Sequence, residues 1–269
     1  MSYSNYYSKT KLLHGALSNV MGTRLDMVLV GKEQAEAEVC WEEVQTLLLQ
    51  LHAQLNRFSE ESEVAQLNRY AAHYPYGVSN ALFDILVCCR EYTEKTQGFF
   101  DVTLGKMTAV EQIDMDKTVR FVEDSVQVDL GGFAKGYAME RIKTLLGAHG
   151  VERALLNFGN SAILAIGEHP LGDAWSVAIN NPYRQAESLG VVKMVDCALS
   201  ISGNMPSHTK HIFNPKTQTY ADGRQLLVVK SKSPLEAEVL STALMLADDA
   251  ESELIASHFD IEEWKRYSV

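Results

Sequence analysis

A chain of 269 residues, 46% hydrophobic and 22% charged, carries enough apolar material for one large domain or two modest ones and has the composition of an ordinary globular protein. Its formal net charge of -11 argues against nucleic acid as the main partner, because phosphate neutralisation needs a basic stripe and none is visible. Four cysteines, two of them adjacent (Cys88 and Cys89) and none in a CxxC, fit neither a disulfide framework nor a zinc site.

In chain order, residues 1–20 give no periodic signal and read as an N-terminal arm, followed by a single domain over 21–269. The apolar patch at 12–17 is broken by His14 and is too short for a secretion signal or a bilayer span, so the expectation is a cytoplasmic chain without membrane insertion. RLDMVLVG (24–31) alternates like a strand ending at Gly31. From Glu33 to about Leu55 the apolar positions Val39, Val44, Leu47, Leu48, Leu51 and Leu55 recur on one broad face with helical spacing. Ser62 precedes the periodic Val64 and Leu67 as a capping residue, and a second long helix is expected from Ser79 to Thr96, stopping at Gly98. In FFDVTLG (99–105), Asp101 among apolar residues needs a partner, as a turn cap or as part of a site. Residues 106–127 are polar, and VQVDL (126–130) reads as a strand.

DLGGFAKGYAME (129–140) then reads as strand end, glycine turn and helix start. Gly131 and Gly132 free the backbone to turn and let an anion approach its amides, and Lys135 falls in the first helical turn, where the dipole favours an anion. Taken alone the pattern more often marks a plain turn beside an exposed lysine. A β-rich region follows, with RALLNFG, AILAIG, WSVAIN and VVKMVDCALSIS as short strands whose linkers allow only antiparallel pairing. KHIFNPKTQTY (210–220) has hairpin chemistry around Asn214-Pro215. LLVVK precedes a helix starting near Pro234 after a capping serine, and helix-forming residues close the chain at 251–259. On the helix after Pro234, Glu238 and Thr242 lie one turn apart and point the same way, an oxygen pair suited to a hard cation or, taken alone, an ordinary helix surface.

These segments together resemble the ApbE-type FAD:protein FMN transferases over most of the chain. The matching stretches, in order, are MGT (21–23), FSEESEVAQLN (58–68), FFDVTLG (99–105), DLGGFAKGYAME (129–140), LLNFGNSAILAIG (155–167), ISGN (201–204), HIFNPKT (211–217) and EVLSTAL (238–244). The resemblance implies an α+β fold with helices packed on largely antiparallel sheets and a ligand cleft between two lobes. It also implies Mg²⁺-dependent transfer of the FMN half of FAD to a threonine or serine hydroxyl of an acceptor flavoprotein, with release of AMP. Metal-ligand roles would fall on Ala134, Glu238 and Thr242, and catalytic roles on His211 and Lys135. Contacts to the flavin nucleotide would fall on Met21, Phe58, Phe100, Asp101, Gly131, Gly132, Lys135, Tyr137, His211 and Ile212.

Such chemistry suits these residue types, since phosphoryl-type transfer needs charge neutralisation and positioning more than covalent help. The chain departs from the family pattern at several points. Glu238 stands for a usual aspartate, Phe58 for a tyrosine, Asn160 for a glycine, Lys106 for a proline and Met205 for an aromatic, and the segment 106–126 is short. The alternative reading is therefore a catalytically reduced flavin- or nucleotide-binding relative, or an FAD pyrophosphatase in which water replaces the acceptor hydroxyl.

Overall fold

A computed structural model describes residues 1–113, 115–184, 187–206 and 212–269. The stretch expected to be an arm forms instead β1 (Ser2–Tyr7) and β2 (Leu12–Val20), which pair antiparallel and lead into β3 (Thr23–Val30). Leu13, Leu17 and Val20 are buried, so residues 1–20 belong to the fold. β1 gave no signal because it is an edge strand, exposed at nearly every position and free of the alternation that half-burial imposes.

α1 (Gln34–Leu55), α2 (Glu63–Tyr70) and α3 (Asn80–Lys95) lie where the apolar spacing put them. Ser62 and Ser79 cap the last two by accepting from Ala65 N–H and Leu82 N–H. Between α2 and α3 lies the two-residue β4 (Tyr76–Gly77). The polar stretch after residue 106 is more ordered than its composition suggests. It forms β5 (Val110–Ile113) and β6 (Thr118–Phe121), which join β4 in a three-stranded sheet. The Arg90 guanidinium ties this sheet to α3, donating to the Gln112 side-chain carbonyl at 2.8 Å and to the Val110 backbone carbonyl. Residues 126–130, expected as a strand, have no strand partner. The Asn68 side-chain amide serves their backbone instead, accepting from Val128 N–H at 2.7 Å and donating to Val128 C=O at 2.9 Å. That substitution satisfies polar groups a ladder would otherwise have to hold.

α4 (Ala134–Ala148) is followed by β7 (Arg153–Phe158), β8 (Ala162–Ile166), β9 (Trp175–Asn180), β10 (Ser188–Met194) and β11 (Cys197–Gly203). VVKMVDCALSIS is thus two strands rather than one, separated at Val195-Asp196, where Asp196 takes φ 48°. β12 (Phe213–Asn214) and β13 (Thr219–Tyr220) make the expected hairpin. β14 (Gln225–Ser231), α5 (Pro234–Leu246), α6 (Asp249–Ala256) and β15 (Ile261–Ser268) complete the chain. The helical ending gives way to β15, an unforeseen edge strand whose charged residues suppress its apolar pattern.

Eight strands form one antiparallel sheet in the order β1-β2-β3-β7-β8-β11-β14-β15. The helices cover one face over the main core, and the β9–β10 hairpin covers part of the other, where Trp175, Ile179 and Met194 meet Ile163, Cys197 and Leu199. In β11, Cys197 and Leu199 face that hairpin, so the strand's twofold alternation turns Ala198, Ser200 and Ser202 toward the helices. α5 lies there, buried along almost its whole length, capped by Ser233 and begun by Pro234. A polar side chain on α5 must therefore find its partners inside the protein.

Candidate active-site cleft

A cleft of about 480 Å³ opens where the β2–β3 turn, the end of α1 and the glycine turn before α4 come together. Met21 and Gly22 form a two-residue hairpin loop with φ 47° and 75°, the double positive φ of a type I′-like turn. Met21 is held in this strained conformation by a bond from its N–H to His52 Nδ1 at 3.2 Å, and both residues line the cleft.

Arg57 and Phe58, just beyond α1, form the outer rim. The Phe58 ring is 83% exposed, and the Arg57 guanidinium lies 4.7 Å from its centroid. Arg57 Nη2 also pairs with Asp129 Oδ2 at 3.3 Å, while Asp129 Oδ1 accepts the Gly131 N–H at 2.9 Å. One carboxylate thereby fixes the glycine turn to the end of α1. Neither Gly131 nor Gly132 adopts positive φ, so the turn itself does not require them. Their effect is a bare backbone leading into an α4 N-terminus that carries no side-chain cap.

Lys135, in the first turn of α4, lines the cleft and reaches behind it. Its Nζ donates to Glu238 Oε1 at 2.6 Å, joining positions 103 residues apart. Glu238 is only 4% exposed. Its other oxygen, Oε2, accepts from Ser200 Oγ at 3.0 Å, and Ser200, Ser241 and Ser202 are linked through their hydroxyls at 2.9 and 2.8 Å. The carboxylate is thus charge-paired on one side and hydrogen-bonded on the other, the condition for keeping an ion in a protein interior. Gly136 makes the meeting of α4 and α5 possible, because a Cβ there would lie 2.6 Å from Glu238 Cβ and 2.9 Å from Pro234 O. Thr242, one turn beyond Glu238, lies beside the glycine turn, its Oγ1 3.5 Å from where a Gly132 Cβ would stand.

The structure therefore brings Met21, Phe58, Gly131, Ala134 and Lys135 together on the cleft, with Glu238 behind Lys135 and Thr242 behind Gly132. Five other residues singled out in the sequence for the nucleotide do not line it, and one of them is Gly132, which lies against Thr242 and Phe100. Phe100 is buried against Phe133 and Tyr92. Asp101 is a turn cap, its carboxylate accepting from the N–H groups of Thr103, Gly105 and Met107 and from the Thr103 hydroxyl. Tyr137 stacks on Phe133 with centroids 5.7 Å apart and accepts from Arg141. Ile212 is buried, its carbonyl bonded by Ala221 N–H. His211 lies outside the described residues. Sequence reasoning did not pick out Arg57, His52, Ser200 or Ser241. Ser200 had a legible signal in CALSISG, where it and Ser202 place hydroxyls two positions apart on one face of a strand otherwise apolar.

Among the described residues no three His, Cys, Asp or Glu converge as a metal-binding group. A divalent cation here would depend on mixed oxygen donors: the Glu238 carboxylate, the Thr242 hydroxyl and the Ala134 carbonyl. These are the hard donors Mg²⁺ takes when it keeps waters or substrate oxygens in its remaining positions, and in kind they fit it. The oxygen of Glu238 on the cleft side is the one already held by Lys135.

An antiparallel sheet covered by helices, with a glycine turn and a part-buried lysine–glutamate pair at the back of a cleft, defines an α+β protein with a candidate ligand cleft. More narrowly, the chain belongs to the ApbE family, whose sequence model matches residues 21–263. A relative in Treponema pallidum named FAD:protein FMN transferase is 26% identical, over 88% of this chain and 77% of its own. The fold is that of the flavin transferase ApbE from Vibrio cholerae, with a TM-score of 0.81 at 20% identity over 96% of this chain and 97% of that one. The ApbE protein from Thermotoga maritima matches equally well, with a TM-score of 0.81 at 19% identity over 96% and 93% of the two chains.

Proposed function

We propose that this chain is a Mg²⁺-dependent FAD:protein FMN transferase. The observation that carries the reading is the arrangement of the cleft: an exposed aromatic face and arginine at its rim, a bare glycine turn at a helix N-terminus, and a lysine beside a buried carboxylate at its back. The name shared by its relatives supports the same reading.

In this reading Phe58 offers its ring to the isoalloxazine and Met21 packs at the same end. The turn at Gly131 and Gly132, the α4 N-terminus and Lys135 bind the diphosphate. The acceptor hydroxyl oxygen attacks the phosphorus of the FMN half, a new phosphoester bond forms, and the bond to the bridging oxygen breaks. AMP leaves with that oxygen and both electrons of the broken bond. The hydroxyl proton goes to a base, a role the family resemblance assigns to His211. Mg²⁺, held by Glu238, Thr242 and the Ala134 carbonyl, would supply charge neutralisation on the diphosphate. Asp129 contributes indirectly, keeping Arg57 and the glycine turn in register.

One observation favours a second reading, a flavin-binding protein without turnover: the carboxylate a metal would need is already neutralised by Lys135. Incubation with FAD, Mg²⁺ and an acceptor flavoprotein, followed by mass spectrometry of the acceptor and chromatography of the nucleotides, separates the two. FMN on a threonine or serine with matching AMP supports the transferase. FAD bound but intact, with the acceptor unmodified, supports the binding protein.

A further inference from the structure

Lys135 stands between the cleft and Glu238. It is among the residues lining the cleft and Glu238 is not. Of the two glutamate oxygens, Oε2 is turned inward to Ser200, itself 2% exposed and bonded to the fully buried Ser241, so its position is fixed by the β11–α5 interface. Oε1 is the oxygen on the lysine side, and the ammonium lies 2.6 Å from it. A divalent ion bound to that oxygen at the usual ~2.1 Å would share one carboxylate with a cation already in hydrogen-bond contact, and like charges so close repel strongly where water is scarce. Ligation by Glu238 therefore requires the lysine to give way. Its side chain is flexible, 18% exposed, and starts from the first turn of α4 beside the bare glycine backbone, where an anion would be received.

We infer that Lys135 is an exchangeable counter-ion: it holds the Glu238 charge while the site is empty and transfers to the diphosphate of the nucleotide when a divalent cation takes its place on the carboxylate. The ammonium keeps its proton throughout, and only its partner changes. This rests on the transferase reading for the identity of the two ligands and adds the rule by which they enter. Metal and nucleotide bind cooperatively, because each removes the partner that opposes the other. Such coupling is reciprocal, so the factor by which FAD improves Mg²⁺ binding equals the factor by which Mg²⁺ improves FAD binding. A buried carboxylate is thereby never left unpaired in the resting protein.

The test is calorimetric titration of the full chain with MgCl₂, without FAD and with saturating FAD, in the wild type, Lys135→Met, Lys135→Gln and Glu238→Gln. In the wild type FAD should strengthen Mg²⁺ binding about tenfold or more. In Lys135→Met, Mg²⁺ alone should bind about tenfold tighter than to the wild type, with the FAD effect reduced. Lys135→Gln removes the charge while keeping a donor for Glu238, so it should fold even if the methionine variant does not, and it should shift Mg²⁺ binding the same way. The inference is overturned if neither lysine variant binds Mg²⁺ more tightly than the wild type although Glu238→Gln has lost it. If Glu238→Gln binds Mg²⁺ as the wild type does, the assignment of the metal to Glu238 fails, and the exchange with it. If FAD does not bind at all, the transferase reading fails and the transfer to a diphosphate with it, while the Mg²⁺-only comparison of wild type with Lys135→Gln still decides whether Lys135 and the cation compete for Glu238.

Discussion

The two walls of the cleft are built on opposite principles. The back wall, where α4 meets α5 and β11, is closely packed: Gly136 lies against Glu238 and Pro234, and the carboxylate is enclosed by a lysine and a chain of serine hydroxyls. The rim is open, with Phe58 almost wholly exposed and Arg57 shared between an aromatic face and Asp129. A buried polar network is fixed before any ligand arrives and contributes to stability, whereas an exposed aromatic contributes little until something stacks on it. Substitutions at the back should therefore be felt first in folding, and substitutions at the rim in binding.

The largest effect should come from Lys135→Met, which leaves Glu238 charged, buried and without its cation. A loss on the order of 3 kcal/mol in urea unfolding is expected, toward the lower end for a broken buried pair because the lysine retains some exposure. Gly136→Ala should follow at about 2 kcal/mol, since the added methyl has no room beside Glu238 and the two helices must separate. A neutral or stabilising result there would show that α4 and α5 are not in the contact described. Phe58→Ala reverses the pattern. Unfolding should shift by no more than ~0.5 kcal/mol, while affinity for FAD falls about tenfold, as expected for the loss of one stacking face. A stability loss equal to that of Gly136→Ala would erase the distinction between the walls.

The smallest expected effect lies away from both. Burial pushes the Cys88 thiol up to about 11, with Glu91 adding to the rise, so at pH 8 only about one part in a thousand is thiolate. Labelling of the native chain by a thiol reagent should be slow at pH 8 and accelerate toward pH 11. Rapid labelling at pH 8 would mean that α3 opens more readily than its packing suggests.

How much of this was legible in the sequence follows from the same physics. The helices α2, α3 and α5 declared themselves because each carries apolar spacing and a capping serine, at Ser62, Ser79 and Ser233, and α1 did so by its apolar spacing alone. β1 and β15 did not, because edge strands are exposed on most of their surface and have no alternation to read. β4, β5 and β6 are too short to establish a period. At the site, the glycine turn, Lys135 and the Glu238–Thr242 pair were each visible as local patterns. The ion pair between Lys135 and Glu238 was not, since nothing local to either residue encodes a partner on another helix. For Asp101 the sequence left two roles open, and the four hydrogen bonds it accepts from residues 103–107 are those of a turn cap.

The most direct test of the central claim is calorimetric titration of the purified chain with FAD in the presence of Mg²⁺, with chromatography of the mixture afterwards. FAD should bind saturably at the cleft, less tightly in Phe58→Ala, with AMP released once an acceptor is supplied. Absence of FAD binding both with and without Mg²⁺ would contradict that claim and leave a member of the ApbE family whose cleft serves a different ligand.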